Sequence, residues 1–146
     1  MKTIENSPSL SPHSPNPKNY ELRIGIVGPC SAGKTSLVDG LTRHGIDAHH
    51  IAQEHSFVPY MWQRISRPDI LIFLDVSFSV SQQRRSLNWK FSDFEEQQKR
   101  LAHARLHADL TINTDDLSII EILNTVLIFL HDESNDRLNS KLSTFS

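Results

Sequence analysis

The stretch Gly28-Pro29-Cys30-Ser31-Ala32-Gly33-Lys34-Thr35 governs how the rest of the chain is read. It satisfies G-x-x-x-x-G-K-[ST] at every fixed position. Glycine at 28 and 33 lets backbone N–H groups turn inward around phosphate oxygens without a Cβ in the way. Lys34 supplies one fixed cation for the β- and γ-phosphates of a nucleotide, and Thr35 offers a hydroxyl to Mg²⁺. The context agrees with the motif. Leu22 to Val27 is a short apolar run suited to a buried parallel strand. Helical character begins near Gly33, with Leu37 and Leu41 on one face and Gly45 where a C-terminal cap belongs. That helix points its positive end at the same anion. The nucleotide-contacting stretch is therefore Gly28, Cys30, Ser31, Ala32, Gly33, Lys34, Thr35 and Ser36. The plain alternative is a chance glycine-rich turn, which motif and context together argue against.

Outward from the loop, strand and helix alternate. Asp47 to Gln53 is a strand candidate, Val58 to Ile65 a short helix stopped by Pro68, and Ile70 to Leu74 an all-apolar strand. A helix through Arg84 and Arg85 comes next. Another starts at Ser92, where Ser92 and Glu95 have capping-box spacing, and runs to about His107. Leu110 to Asn113 reads as a short strand, and Ile120, Leu123, Leu127 and Leu130 line one face of a last helix. This alternation predicts an α/β fold, a three-layer αβα sandwich around a short, mostly parallel sheet. The expected strand order puts the Asp47 strand at one edge, then the Leu22, Ile70 and Leu110 strands.

The ends differ from the middle. Residues Met1 to Asn19 are rich in Ser, Pro and Asn, with too few apolar groups to offset ordering entropy, so a flexible tail is expected. The folded domain is expected over residues 20–131, and the polar end from Asp132 to Ser146 is expected to fray. With 17 acidic against 15 basic side chains the net charge is −2, so no general basic field exists for a nucleic-acid backbone. The longest apolar run, Val126 to Leu130, is far too short to span a bilayer. A single cysteine, Cys30, excludes a disulfide framework within one chain. These features predict a cytoplasmic protein with no membrane and no nucleic-acid partner. A partner protein or a homodimer stays open.

Patterns of other nucleotide-binding branches do not occur: there is no N-K-x-D, no D-x-x-G, and Asp75 is followed by Val76 rather than Glu. What does occur resembles the P-loop kinases of small molecules, the nucleoside monophosphate kinase-like group. Ile70-Leu71-Ile72-Phe73-Leu74-Asp75-Val76-Ser77 followed by Arg84-Arg85 resembles the strand and arginine-bearing helix before their lid. Ala108-Asp109-Leu110-Thr111-Ile112-Asn113-Thr114-Asp115 resembles their last strand, near the adenine. The resemblance spans about Glu21 to Leu130. It implies the P-loop NTPase fold, ATP and Mg²⁺ as cofactors, and transfer of a phosphoryl group to a nucleotide, nucleoside or other small metabolite. This chain departs from the group in lacking a separate acceptor-binding insertion, for which only Glu54 to Pro68 is available. The alternative is an NTP-binding or slowly hydrolysing module that regulates a partner protein.

Phosphoryl transfer needs positioning, Mg²⁺ and compensation of negative charge. Glu54 and Asp75 compete for the Mg²⁺ or base role. Glu54 follows the second strand at the edge where parallel α/β sheets bind ligands, and it is preferred because the Asp75 segment better resembles the strand before the lid of those kinases. Catalytic roles thus fall to Lys34, Glu54 and Arg85, with Thr35 and Glu54 toward the metal. Arg84 shares the lid helix, and Arg100 and Arg105 could complete the clamp; a solvated helix face is the plain alternative. Phe57, Tyr60 and Trp62 could stack on an acceptor base with Gln63 on its edge, or simply pack a short helix. His49, His50 and His55 cluster, but no cysteine partner or H-E-x-x-H pattern accompanies them; exposed histidines are the better explanation, and no zinc site is assigned. Cys30 reads either as a thiol activated by the helix end or as a small residue at a variable position.

Overall fold

The computed structural model describes residues 22–85 and 88–145, with side chains described as far as Leu138. The segment 1–19, expected to be a tail, lies outside these residues. The elements run β1 (Arg23–Val27), α1 (Lys34–Arg43), β2 (Asp47–His50), a 3-10 turn (Gln53–His55), α2 (Met61–Ile65), β3 (Ile70–Asp75), α3 (Phe78–Arg84), α4 (Phe91–His107), β4 (Leu110–Asn113) and α5 (Ile119–Phe145). The four strands form one sheet in the order β2-β1-β3-β4, as expected from sequence. Every pairing is parallel, with Ile24 opposite Ala48 and Ile70, and Ile72 opposite Leu110.

Alternation along the strands divides the core into two apolar clusters. Ile24 and Ile26 of β1 and Ile70, Ile72 and Leu74 of β3 belong to one, with Leu37 and Leu41 of α1 and Ile122, Val126 and Leu130 of α5. Val27, Leu71 and Phe73 belong to the other, with Leu101 and Ala104 of α4 and Trp62 of α2. A short parallel sheet with helices over both faces follows, because strands buried on two sides cannot face water. α1 ends as its sequence demands. Gly45, at φ 76°, gives its N–H to Thr42 O and Ile46 gives its own to Leu41 O, a reverse turn that satisfies the last carbonyls.

Several details differ from the sequence expectation: β2 stops at His50, with Gln53 in the 3-10 turn rather than the strand, and α2 starts at Met61 rather than Val58. α4 begins one residue early, because buried Trp89 donates Nε1–H to Ser81 Oγ at 2.9 Å and fixes the chain entering the helix. The reciprocal cap is then Lys90 N–H to Asp93 Oδ2 at 3.0 Å, not Ser92 with Glu95. In α5 a capping box of Ser118 and Glu121 sets the phase of the helix. Its buried stripe is Ile122, Val126 and Leu130, with Leu123 and Leu127 beside it, and Ile120 stands exposed. Finally, α5 continues past Leu130 to Phe145. The described side chains of that part, as far as Leu138, are mostly exposed and include an Arg137–Glu133 pair one turn apart, so the polar composition does not mark the end of the element. Among the described residues, no helix is long and apolar enough to cross a membrane.

Candidate functional site

β1 delivers the chain to the carboxyl edge of the sheet, and there the glycine loop turns into α1. At Gly28 the backbone has φ 153°, and a Cβ would lie 2.1 Å from the Leu74 carbonyl oxygen, so no other residue fits beside β3. Gly33 follows at φ 103° and Ser31 at φ 72°, the latter a left-handed state that an L side chain adopts only when its surroundings enforce it. The surroundings do. Arg84 of α3 donates to Ser31 O at 2.8 Å, the buried Thr114 hydroxyl donates to Ala32 O at 3.0 Å, and buried Gln97 of α4 accepts the Cys30 N–H at 3.0 Å. Leu37 N–H is bonded to Gly33 O, which leaves the amides of Lys34, Thr35 and Ser36 in the open first turn of the helix. Thr35 is exposed there.

Lys34 does not extend into solvent. It is 6% exposed, and its ammonium donates to Gly28 O at 2.6 Å and Pro29 O at 3.0 Å. Its third partner is Glu54 Oε2 at 3.1 Å. Glu54 is 2% exposed, and its other oxygen, Oε1, has no hydrogen-bond partner. The 3-10 turn that carries Glu54 is pinned by Gln53, whose amide accepts from Trp62 N–H at 2.8 Å and donates to Val58 O and Arg100 O. Arg100 in turn donates to Glu54 O at 3.3 Å. A buried carboxylate with a free oxygen, next to a buried ammonium, is therefore held rigidly beside the loop. Two imidazoles border it: His55 Nε2 at 3.7 Å and His50 Nε2 at 3.9 Å from Oε2. Burial, and then the nearby Lys34 charge, hold His50 below the usual imidazole value of 6.5.

The two acids compared in the sequence have different partners. Asp75, at the end of β3, is bound by Arg105 through contacts of 2.7 and 3.3 Å and accepts the Val76 N–H. Arg105 also lies over the Phe73 ring, so the pair serves the joint between α4 and the sheet. Glu54 is the acid that meets Lys34.

Arg84 and Arg85 also part. Arg85 has its guanidinium over the Trp89 ring at 4.5 Å, while Arg84 contacts the loop and the Thr114 carbonyl. Trp62 packs: it is buried and donates Nε1–H to His103 Nδ1 at 3.1 Å. Phe57 is exposed, with the Arg100 guanidinium over its ring at 4.3 Å, and Tyr60 and Gln63 are exposed as well. Gln97 and Thr114 hold the loop from distant elements, and nothing in their local sequence signals it. Two cavities, of about 270 and 340 Å³, open near the start of the strands beside Leu71 and Ile24, away from the glycine loop.

No protein-family model matches the chain, and no curated protein matches it either.

Proposed function

We propose that the chain is a P-loop NTPase-fold phosphotransferase that moves the γ-phosphoryl group of ATP to a nucleotide, nucleoside or other small metabolite. The observation that carries this reading is the buried Lys34–Glu54 pair, 3.1 Å apart, set beside a glycine loop whose following helix has an open first turn. An anion in that loop meets the amides of Lys34, Thr35 and Ser36 and the helix dipole together. Lys34, held by two carbonyls and Glu54, turns to the triphosphate, which outcompetes neutral carbonyls for an ammonium. That movement frees the Glu54 carboxylate.

The residues present suit Mg²⁺. The exposed Thr35 hydroxyl and the unpartnered Glu54 Oε1 are hard oxygen donors, and Mg²⁺ favours carboxylate and phosphate oxygens. When bound there it would neutralise charge on the β- and γ-phosphates. Glu54 takes the proton of the acceptor hydroxyl as that oxygen bonds to the γ-phosphorus and the bond to the β-phosphate oxygen breaks. Arg84 and Arg85 offset the charge that develops, with Arg84 already against Ser31 O. Exposed Phe57 and Tyr60 flank Glu54's turn and offer apolar faces to an acceptor base. For a partner-regulating NTP module, an apolar surface along Val126 to Leu130 would be the supporting feature. Val126 and Leu130 are buried, Leu127 and Phe129 pack partly on the core, and Ile128 is the one side chain of that stretch that stands exposed, which does not make a continuous apolar surface.

The test is transfer of label from γ-labelled ATP, with Mg²⁺, to a panel of nucleosides and nucleoside monophosphates. A labelled product is expected, with Glu54→Gln lowering kcat about a hundredfold while ATP affinity changes less. Tight ATP binding with neither transfer nor hydrolysis would replace the kinase with a binding module.

A further inference from the structure

The fold joins residues that the sequence separates. Cys30, in the glycine loop, and His55, in the 3-10 turn, are 25 positions apart, yet Cys30 Sγ lies 3.9 Å from His55 Nε2. The Glu54 carboxylate completes a trio whose ligand atoms all fall within 4.8 Å of one another. We propose that Cys30, Glu54 and His55 form a site for a thiophilic divalent cation of the Zn²⁺ type.

The donor set and its spacing support this. Thiolate, imidazole and carboxylate are the three side-chain ligands that Zn²⁺ takes. With bonds of about 2.3 Å to sulfur and about 2.0–2.1 Å to nitrogen and oxygen, tetrahedral ligand atoms stand roughly 3.3–3.6 Å apart. The observed 3.9 Å from Sγ to Nε2 and 3.7 Å from Nε2 to Glu54 Oε2 need to close by only a few tenths of an ångström. Glu54 supplies the independent sign of a ligand. It is 2% exposed; the Oε2 measured against His55 is the oxygen that Lys34 also contacts at 3.1 Å, and the other oxygen, Oε1, has no partner, so the carboxylate keeps a coordination position beyond its contact with Lys34. An orphaned carboxylate oxygen in a buried place is costly unless something binds it.

Charge and access are compatible as well. Thiolate and carboxylate together balance a dication, and Lys34 retains the Gly28 and Pro29 carbonyls as partners. His55 is exposed and swings in without disturbing the core. The ion bonds to the Cys30 sulfur as the thiol proton leaves to buffer, so no oxidant or reductant enters. A fourth position remains for water, which is how three-ligand zinc sites keep an open coordination place. Because Glu54 is shared, Zn²⁺ here competes with Mg²⁺ for that carboxylate, which makes the ion an inhibitor. That competition rests on the phosphotransferase reading, whereas the cation site does not.

The experiment titrates Co²⁺, a spectroscopically visible substitute, into the nucleotide-free protein. A near-ultraviolet thiolate-to-cobalt absorption saturating at one equivalent and removed by Zn²⁺ is expected. Cys30→Ser should abolish the band, and His55→Ala should weaken binding at least about tenfold. Both substitutions leave the buried Lys34–Glu54 pair in place, and circular dichroism checks that each variant is folded. No thiolate band in the wild type, or an undiminished affinity in His55→Ala, would overturn the site. Neither result bears on ATP binding, which is measured without Co²⁺ or Zn²⁺.

Discussion

Removing Lys34 alone should damage the fold as well as the site. The ammonium and the Glu54 carboxylate lie 3.1 Å apart, with side-chain exposures of 6% and 3%. At an effective dielectric constant of about 20, unit charges at that distance attract by about 5 kcal/mol. Breaking a buried pair by deleting one member costs about 3–5 kcal/mol, because the survivor keeps its desolvation penalty. Lys34→Ala also strips the Gly28 and Pro29 carbonyls of a donor. We expect a loss of about 3 kcal/mol, or on the order of 10 °C in Tm for a domain of this size. Lys34→Ala with Glu54→Gln leaves no buried unpaired charge and should recover roughly 2 kcal/mol of the summed single losses. Urea denaturation of the wild type, both single variants and the double variant closes the cycle. Losses that add within about 0.5 kcal/mol would mean that the two groups are uncoupled, and the reasoning would fail.

Gly28→Ala places a Cβ against the Leu74 carbonyl oxygen and should cost about 3 kcal/mol or more, read as a lowered urea midpoint. Once an acceptor is known, Arg84→Ala should reduce kcat about a hundredfold and Arg85→Ala by less, because Arg84 touches the loop and Arg85 lies on Trp89. Equal effects in steady-state assays would refute that ranking. The depressed imidazole of His50 means that the unfolded chain binds its proton first as pH falls. Its stabilising contribution is complete above about 6.5 and is lost as pH drops from there toward the folded-state value. His50→Gln should flatten the melting temperature against pH in that window, and an unchanged slope would assign the dependence elsewhere.

The sheet was legible because each strand announces itself locally. The apolar run into Gly28 and the run Ile70 to Leu74 have no solvent-facing alternation, and the strand order followed from ordinary connection rules. α5 was harder to read. Its helix phase depends on the Ser118–Glu121 box, so Ile120, which looked like a core residue, is exposed, and the polar stretch after Leu130 carries no local signal that the helix continues to Phe145. In the site, Lys34 and Glu54 could be named from the motif and the strand edge. Their direct contact could not, since it depends on how β2 pairs beside β1. Distant supports were invisible for the same reason: Gln97 reaches Cys30 across 67 residues, and Arg84 rather than its neighbour reaches the loop because of where α3 ends. The cysteine that seemed isolated from the histidines lies against one of them in three dimensions.

The central claim is that the Gly28–Thr35 loop binds nucleotide phosphate with Lys34 as its cation. Calorimetric titration of ATP with Mg²⁺ into the wild type and into the folded Lys34→Ala, Glu54→Gln double variant tests it most directly. The account predicts one bound ATP per wild-type chain and no measurable binding in the double variant. An absence of binding in the wild type, or undiminished affinity in the variant, would contradict it.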